Sequence, residues 1–440
     1  MTESQKSSPT PAKAGPVRLS RTRVVLLQSY RLLALAAICW LIRDHHVRQR
    51  VLGEQPISVP EVRFFWTNAV SLKHDHGPRA GMFVFDAEGE ELGYVVRTMP
   101  DVSHIVGYCG TTDTMVALKA DGSVKGMNVR SSEDTVTHAE DVMLDWSFKR
   151  IWNGMAWPEV AKMDLDAEGI EGVSGATLTS MAVGRGIVHR FAVGEGRQTA
   201  IAPQWQWEDI GLLGAMVLGV FLAFTKRPGR VKARRWFQLY VVGYVGLLSG
   251  DLMAQSLLAG WTRSGIAWEL APAMVLFVAA MLVIPWATKK PLYCQQVCPH
   301  GALQEWILRW RPKKWQFAVS PDLDRGLRWL PGMLLGFVAV VVMLPIGFDL
   351  AGIEPFDAYL LGAAGIATIS VAVVGLIASC FVPKAYCRYG CPTGALLETV
   401  RSHGSRDSWR RSDFGVALVL IMVALLRFRY DLIHQWLYDF

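Results

Sequence analysis

Charge is scarce in this sequence: Asp, Glu, Lys and Arg make up 19% of its 440 residues, hydrophobic types 51%, and the mean hydropathy is +0.25. Such a balance speaks against a wholly soluble globule, so membrane spans are the first thing to seek. Cysteine is scarce too, at seven residues with none after Cys391. No ferredoxin-like run of closely spaced cysteines therefore follows that position. None of the ten histidines lies within the apolar runs 236–259, 266–287, 328–348 and 359–382, which removes the axial ligands that a haem b would need there. The first apolar run, 24–42, lacks a small-residue cleavage site before "RDHHVRQR" and contains Arg31, so it reads as a retained anchor rather than a secretory signal. The basic residues, net +7, are not spread as on a nucleic-acid-binding surface.

Seven stretches are apolar enough to cross about 30 Å of hydrocarbon with roughly 20 residues each: 24–42, 208–225, 236–259, 266–287, 328–348, 359–382 and 413–430. Lys and Arg gather in alternate connections, with six in "KRPGRVKARR" (226–235), seven over 288–327 and six over 384–411. The other connections hold Arg263 alone at 260–265 and no basic residue in "GFDLAGIEPFDAY". The positive-inside rule then puts the basic loops in the cytoplasm and the long segment after the first span outside, with "RDHHVRQR" dissenting. The expected fold is a polytopic α-helical membrane protein, with about seven spans and an extracytoplasmic α+β domain. Its parts are a disordered cytoplasmic tail over 1–22, an anchor over 23–43, a periplasmic domain over 45–205 and a six-span part over 206–440. Trp40, Trp236, Trp306 and Trp310 suit the lipid interface.

Within the polar segment, "GMFVFDAEGEELGYVVRT" and "TMVALKADGSVKGMNVRS" each pair two β-rich runs around a turn signal, Glu88-Gly89 and Asp121-Gly122. "HAEDVMLDWSFKRIWNGM" has helical spacing of apolar residues. His45, His46, His74, His76 and His104 read as surface histidines rather than a metal site.

The membrane part contains a repeat. "YCQQVCPHGAL" begins at Tyr293 and "YCRYGCPTGAL" at Tyr386, each after a pair of apolar runs. This is the pattern of a duplicated two-helix unit that would bring both motifs to one membrane face. Cysteines at i and i+4 share a helix face, and a following Pro suits the first turn of a new helix. Together Cys294, Cys298, Cys387 and Cys391 make the four-thiolate complement of a [4Fe-4S] cluster or a zinc site. A disulfide is disfavoured on a reducing cytosolic face. Iron–sulfur is preferred because Cys-Pro endings recur in cluster-binding sequences. Cys39, Cys109 and Cys380 read as small buried hydrophobes.

A second motif is "GVSGATLTS", residues 172–180, just before the helical run "SMAVGRGIVHRFAV". Gly175 permits a tight turn, and the helix N-terminus that follows suits a phosphate. An ordinary capping turn would look similar. "SGATLTS" resembles the flavinylation motif of the FMN-binding domain shared by the flavin subunits of Rnf and sodium-pumping NADH:quinone reductase complexes and by NosR/NirI-type membrane proteins. The resemblance covers roughly 100–195. "VALKADGSVKGMNV" is similar to the family's hairpin, and "SSEDT" stands at its acidic-Thr segment. It implies that Thr177 carries FMN through a phosphoester bond, with Ser174, Gly175 and Ala176 forming the attachment turn and Thr179 a second hydroxyl candidate. Glu171 stands where the family generally has Asp. The paired Cys-x-x-x-Cys-Pro motifs also resemble NosR/NirI proteins, although those continue into a ferredoxin module that does not follow here.

Taken together, the two motifs imply an oxidoreductase component that moves electrons between a cytoplasmic ferredoxin-like or quinol donor and a periplasmic acceptor or reductase, matured by a flavin transferase. About 30 Å of hydrocarbon between the faces calls for an intermediate carrier or a sunken cluster. A quinone is the candidate carrier, with Asp251 and Glu269 as acids for its protons; the bland alternative satisfies these acids by a polar neighbour or Arg263. The rival functional reading is a membrane redox sensor or assembly factor for a periplasmic reductase. A structural zinc protein is a third.

Overall fold

The structure is a computed structural model. It describes residues 21–433 apart from 53–55, 198–202, 204, 226–229, 345, 347, 361–363, 405–406 and 431. Most of the expected N-terminal tail lies outside the described residues. So do 226–229 of the first basic loop, 361–363 of the expected sixth span and 405–406 of the last loop.

The first helix, α1 (Arg21–Leu52), is longer than the anchor expected over 23–43. Its last turns contain "RDHHVRQR", which therefore belongs to the helical part and not to the polar domain. His46 Nε2 lies 2.8 Å from the Val342 carbonyl and the His45 ring 4.7 Å from that of Tyr430.

The polar domain is a five-stranded antiparallel meander in the order β1-β2-β3-β4-β5, made of β1 (Ser71–His74), β2 (Met82–Phe85), β3 (Glu91–Arg97), β4 (Thr112–Lys119) and β5 (Val124–Ser132). The two expected hairpins are β2–β3 and β4–β5. Their reversals pass through Gly89 and Gly122, both at φ +81°, where only glycine is unstrained. One sheet face packs Val84, Val95, Met115 and Ala117 against Val62 and Trp66. The other packs Val96, Val116, Leu118 and Met127 against Val183, Ile187 and Phe191 of the helix α3 (Thr177–Gly194). With both faces covered, β4 is buried along nearly its whole length, which is why its sequence does not alternate. Between β5 and α3 lies the helix α2 (Val136–Leu144).

The helical part follows: α4 (Trp207–Phe224), α5 (Arg230–Tyr240), α6 (Gln255–Ser264), α7 (Pro272–Thr288), α8 (Pro299–Trp310), α9 (Leu330–Met343), α10 (Ile366–Phe381), α11 (Pro392–Val400) and α12 (Arg411–Phe428). Among the described residues three helical stretches, 22–49, 207–224 and 321–343, are long and apolar enough to cross a membrane. The helices α7 and α10 are apolar but shorter, at 17 and 16 residues.

The expected third span, 236–259, is not one helix. After α5 the chain continues as a π-helix, Val241–Ser249, and then breaks at Gly250, whose φ is +70°. A Cβ there would come within 2.1 Å of the Leu360 side chain. Residues 251–254 instead turn into the core, where the Met253 N–H donates to the Tyr293 hydroxyl at 3.1 Å. The chain then leaves along α6. Length and hydropathy could not reveal the break, because apart from Asp251 its residues are as apolar as those of a span.

α1 and α12 run side by side in the same direction. At one end Arg31 reaches Asp413 at 2.5 Å and Asp407 at 3.0 Å; at the other Arg427 reaches Asp44 at 2.5 Å. Arg31, Asp407 and Asp413 are all buried, with Gln28 adding a hydrogen bond to Asp407 at 2.6 Å.

The sheet domain docks on α6. Cys109 and its neighbours Val106 and Tyr108 share one core with Leu252, Leu257, Trp261 and Phe277. The approach is close enough that a Cβ at Gly260 would lie 1.8 Å from the Cys109 carbonyl oxygen. Ser264 also donates to Glu133 at 2.6 Å.

Two outcomes follow. Arg31→Leu strands two buried carboxylates and is expected to cost about 3–5 kcal/mol, seen as a lower unfolding temperature in detergent; adding Asp407→Asn and Asp413→Asn should recover most of the loss. Gly260→Ala overpacks the dock and is expected to cost about 1–3 kcal/mol, and mass mapping of maleimide adducts should show Cys109 becoming reactive.

Candidate functional site

The repeated motif has a simple local logic. Cys298 is the N-cap of α8 and Cys391 that of α11, each with Pro at the first helical position. Each thiol therefore sits where a helix has unpaired N–H groups and the positive end of its dipole. The Gly301 N–H donates to Cys298 Sγ at 3.4 Å, and the Gly394 N–H to Cys391 Sγ at 3.1 Å. A Cβ at Gly394 would come within 3.3 Å of Cys391 Sγ, and one at Gly301 within 3.0 Å of the Cys294 carbonyl. Glycine at the third helical position thus leaves room beside each capping sulfur. Such donors stabilise a thiolate, or a cluster carrying net negative charge through its thiolates.

The two motifs meet. All four cysteines line one largely apolar cavity of about 1430 Å³ that extends between α1, α6, α7 and α9. Cys298 and Cys391 each lie within electrostatic reach of thiols in the other motif. Gln304, on α8 after the first motif, donates to Cys387 Sγ of the second at 3.1 Å, and its amide oxygen accepts from Ser379 at 2.9 Å. Among the described residues no three His, Cys, Asp or Glu side chains are arranged to hold one metal ion. A tetrahedral zinc with Zn–S near 2.3 Å needs thiolates only about 3.8 Å apart. A four-iron cluster gives each thiolate its own iron and so keeps the sulfurs farther apart around a central space. Four thiols around one cavity match the number of ligands that a four-iron cluster takes. The other three cysteines stand apart in role: Cys109 packs in the dock, Cys380 donates toward the Leu376 carbonyl, and Cys39 lies on α1, where it lines the far side of the same cavity.

The residues that brace this site carry no motif. His300 Nδ1 is 2.9 Å from the Tyr359 hydroxyl, and its ring lies edge-on to Tyr386 at 5.0 Å. Glu354 accepts from the Gln255 N–H and from Thr393 Oγ1, both at 2.5 Å, so the break before α6 is pinned one residue past the second Cys-Pro. Glu305 collects Arg234, Arg309 and Lys384 at 2.7, 2.6 and 3.8 Å. Asp251 accepts from the Ser249 hydroxyl, and Glu269 stands half-buried ahead of α7.

In the sheet domain, Gly172 and Gly175 take φ +82° and +84°, and Ala176 caps α3. Ser180 pins the turn, accepting from the Val173 N–H at 2.8 Å and donating to the Ala176 carbonyl at 2.9 Å. Ser174 is exposed at the turn's crest and Ala176 buried beneath it. Thr177 opens the helix, partly exposed, its hydroxyl 3.4 Å from the Val173 carbonyl. Thr179 is 1% exposed and donates to Asp134 at 2.7 Å. The two threonines therefore differ in access: only Thr177 offers a hydroxyl beside the helix N-terminus where a phosphate is favoured, and these residues fit an attached FMN.

Asp134, within "SSEDT", is the hub that ties this helix to the dock. Besides Thr179 it accepts from the N–H groups of Tyr108, Cys109 and Thr135 at 3.0, 2.9 and 2.9 Å. A Cβ at Gly107 would lie 2.6 Å from its Oδ2, and one at Gly110 2.4 Å from the Glu133 carbonyl. The glycines of "GYCG" were the sequence signal for this close wrap. Burial, then nearby Asp357, pushes the Tyr108 phenol well above its usual range; burial and Asp134 do the same for the Cys109 thiol. Both therefore stay protonated at neutral pH.

The thiol cavity and the dock are close. Gln255 touches Thr393, and Gly260 touches Cys109. These positions are five residues apart on α6, a rise of about 7.5 Å. One short helix, α6, thus joins the thiol cavity to the dock.

Comparison with known proteins agrees with both sites. The family model for a 4Fe-4S binding domain matches residues 270–318 and 364–417, and that for an FMN-binding domain matches 107–189. No solved structure matches. The chain is similar to the "Putative electron transport protein YccM" of Escherichia coli (strain K12), 30% identical over 188 residues that make up 40% of this chain and 48% of that protein, so it spans about half the length of the curated relative it matches. The chain carries an FMN-binding domain and a 4Fe-4S binding domain, as its two motifs suggested.

Proposed function

We propose that this protein is a bacterial inner-membrane electron carrier in which Cys294, Cys298, Cys387 and Cys391 hold a [4Fe-4S] cluster and Thr177 carries FMN as a phosphoester. The observation that supports it best is the shared core: Cys298, Tyr293, Leu257, Tyr108 and Cys109 belong to one continuous buried cluster, with Leu178, next to Thr177, packed against it. When bound, the cluster supplies one-electron chemistry and the flavin both one- and two-electron chemistry. The protein's own contribution is to hold the two sites on one rigid body, cap the thiolates with helix N-termini, and keep water out of the space between them.

In this reading the apolar helices make about seven crossings, with the gap between α5 and α6 a re-entrant bend in the hydrocarbon. The N-terminus and the two motifs face the cytoplasm and the sheet domain faces the periplasm. The common direction of α1 and α12 and the cluster of Arg234, Arg309 and Lys384 beside the first motif support that orientation. Electrons arrive from quinol or a small cytoplasmic ferredoxin-like protein and leave to a periplasmic acceptor. The large apolar cavity, open between helices beside the thiols, has the size and lining a quinone would need. A flavin transferase matures the sheet domain.

The test is anaerobic purification from cells expressing a flavin transferase, followed by assay of iron, zinc, acid-labile sulfide and the flavin fluorescence of the denatured band. About four iron per chain are expected, with a fluorescent band. Thr177→Ala should abolish the fluorescence and leave iron in place, whereas Thr179→Ala should weaken folding and leave a fluorescent band. Cys294→Ser should lose most of the iron and keep the flavin. Zinc in place of iron would sink the proposal, and client maturation that survives Thr177→Ala and fails only on loss of the protein would favour the sensor or assembly factor.

A further inference from the structure

Gln304 is a neutral amide enclosed completely in an apolar core, at 0% exposure. Each unmet polar atom in such a place costs about 1–3 kcal/mol, yet this side chain is fully used. Its Nε2 donates to Cys387 Sγ at 3.1 Å and to the His300 carbonyl at 3.4 Å, and its Oε1 accepts from the Ser379 hydroxyl at 2.9 Å. Ser379 is itself buried on α10, with its hydroxyl 2.8 Å from the Gly375 carbonyl. A thiolate sulfur accepts and does not donate, whereas Ser379 brings a proton to the other end of the amide. The amide therefore has one orientation, with an N–H turned to the sulfur.

The fold does not need an amide at this point of the motif. The repeat places Leu397 at the matching position of α11, where it packs in the same core as Cys298 and Tyr293. An apolar side chain thus serves both helix and core in the second copy. What Leu397 cannot supply, and Gln304 does, is a donor to a thiol of the other copy. The Gly301 N–H on Cys298 and the Gly394 N–H on Cys391 are backbone groups of the two capping turns, common to both copies. Among the described residues Gln304 is the side chain that adds a donor to a motif sulfur.

The geometry points to Gln304 as a residue that sets the reduction potential of the cluster, raising it by an N–H held on the Cys387 sulfur. Reduction brings one electron from the donor, takes up no proton, and makes or breaks no bond. The added negative charge spreads onto the ligating sulfurs, so a fixed N–H dipole on one of them stabilises the reduced form more than the oxidised form. Burial keeps water from screening that dipole. Gln304 acts through Cys387 as a positioning residue, and Ser379 acts one step further out by fixing the amide. The inference rests on the reading that these four thiolates hold an iron–sulfur cluster.

The experiment is an EPR-monitored redox titration of the full chain in detergent, carrying iron and flavin, with dithionite as reductant. Gln304→Met, of similar size but without an N–H, should keep its iron and move the cluster midpoint to more negative potential. At the wild-type midpoint its ratio of reduced to oxidised cluster should fall about tenfold, which for one electron is about 59 mV. The flavin midpoint should stay in place, and proton ENDOR of the reduced cluster should show one exchangeable coupling fewer than in the wild type. Ser379→Ala should move the cluster midpoint the same way by less, because the N–H remains and only its aim is loosened. Should Gln304→Met lose its iron, Gln304→Leu takes its place, and should that lose it too, Ser379→Ala alone must lower the midpoint. An iron-replete variant with the wild-type midpoint overturns the inference. A wild type that holds zinc, or no metal, overturns the reading on which it rests.

Discussion

Distance is the constraint on which this structure turns. Electron tunnelling falls off steeply with separation, and two redox sites at opposite faces of about 30 Å of hydrocarbon would be poorly coupled. On the proposed electron path, the broken helix is what links the thiol cavity to the dock. Gly250 takes a left-handed conformation, the chain folds inward over 251–254, and α6 then climbs to the sheet domain from a starting point already beside Thr393 and Tyr293. The backbone groups released by the break are satisfied by the Tyr293 hydroxyl and the Glu354 carboxylate. Irregular backbone among apolar helices is tolerated where its polar groups are satisfied inside the protein in this way. At the far end of α6 the absence of a side chain at Gly260 lets the Cys109 loop rest directly on the helix.

The same economy of distance explains the sheet domain's inner loop. Gly107 and Gly110 wrap the chain so tightly around Asp134 and Glu133 that these two acids serve both sides of the seam: Asp134 ties the loop to Thr179 on α3, and Glu133 reaches Ser264 on α6. Thr179 is consumed by that bracing. Thr177, two residues earlier and at the helix N-terminus, is left partly exposed. The neighbouring threonines of "SGATLTS" therefore divide the work, one structural and one free to carry a ligand.

Much of this was legible in the sequence, and what was not has physical causes. Both hairpins were readable because turn glycines with positive φ punctuate β-rich runs, and the four thiols stood out because Cys-Pro-x-Gly is the signature of a sulfur-capped helix. The interrupted third span was not readable, since Leu252, Met253 and Ala254 are buried in protein and look as apolar as residues facing lipid. Nor were Gln304, His300 and Glu354, whose roles depend on partners from 39 to 99 residues away. The run "RDHHVRQR", which sat awkwardly outside the membrane by charge, is the end of α1, and its histidines pack against the helical part.

The repeat itself is only half symmetric, and the asymmetry bears on what the thiols hold. Both copies keep the tyrosine, the two cysteines, the proline and the capping glycine, all of which shape the local backbone. The positions that reach outward differ. His300 in the first copy stands where the second has Thr393, and Gln304 stands where the second has Leu397. Gln304 crosses to donate to Cys387, while Leu397 packs into the core shared by both motifs. If each pair of thiols held its own ion, each would need its own set of supporting donors and acceptors, and divergence would leave one of them poorly braced. A single cofactor spanning both copies removes that requirement, because a donor contributed by one copy to a sulfur of the other serves the whole set. The cross-repeat hydrogen bond from Gln304 to Cys387 ties the two copies together at their thiols.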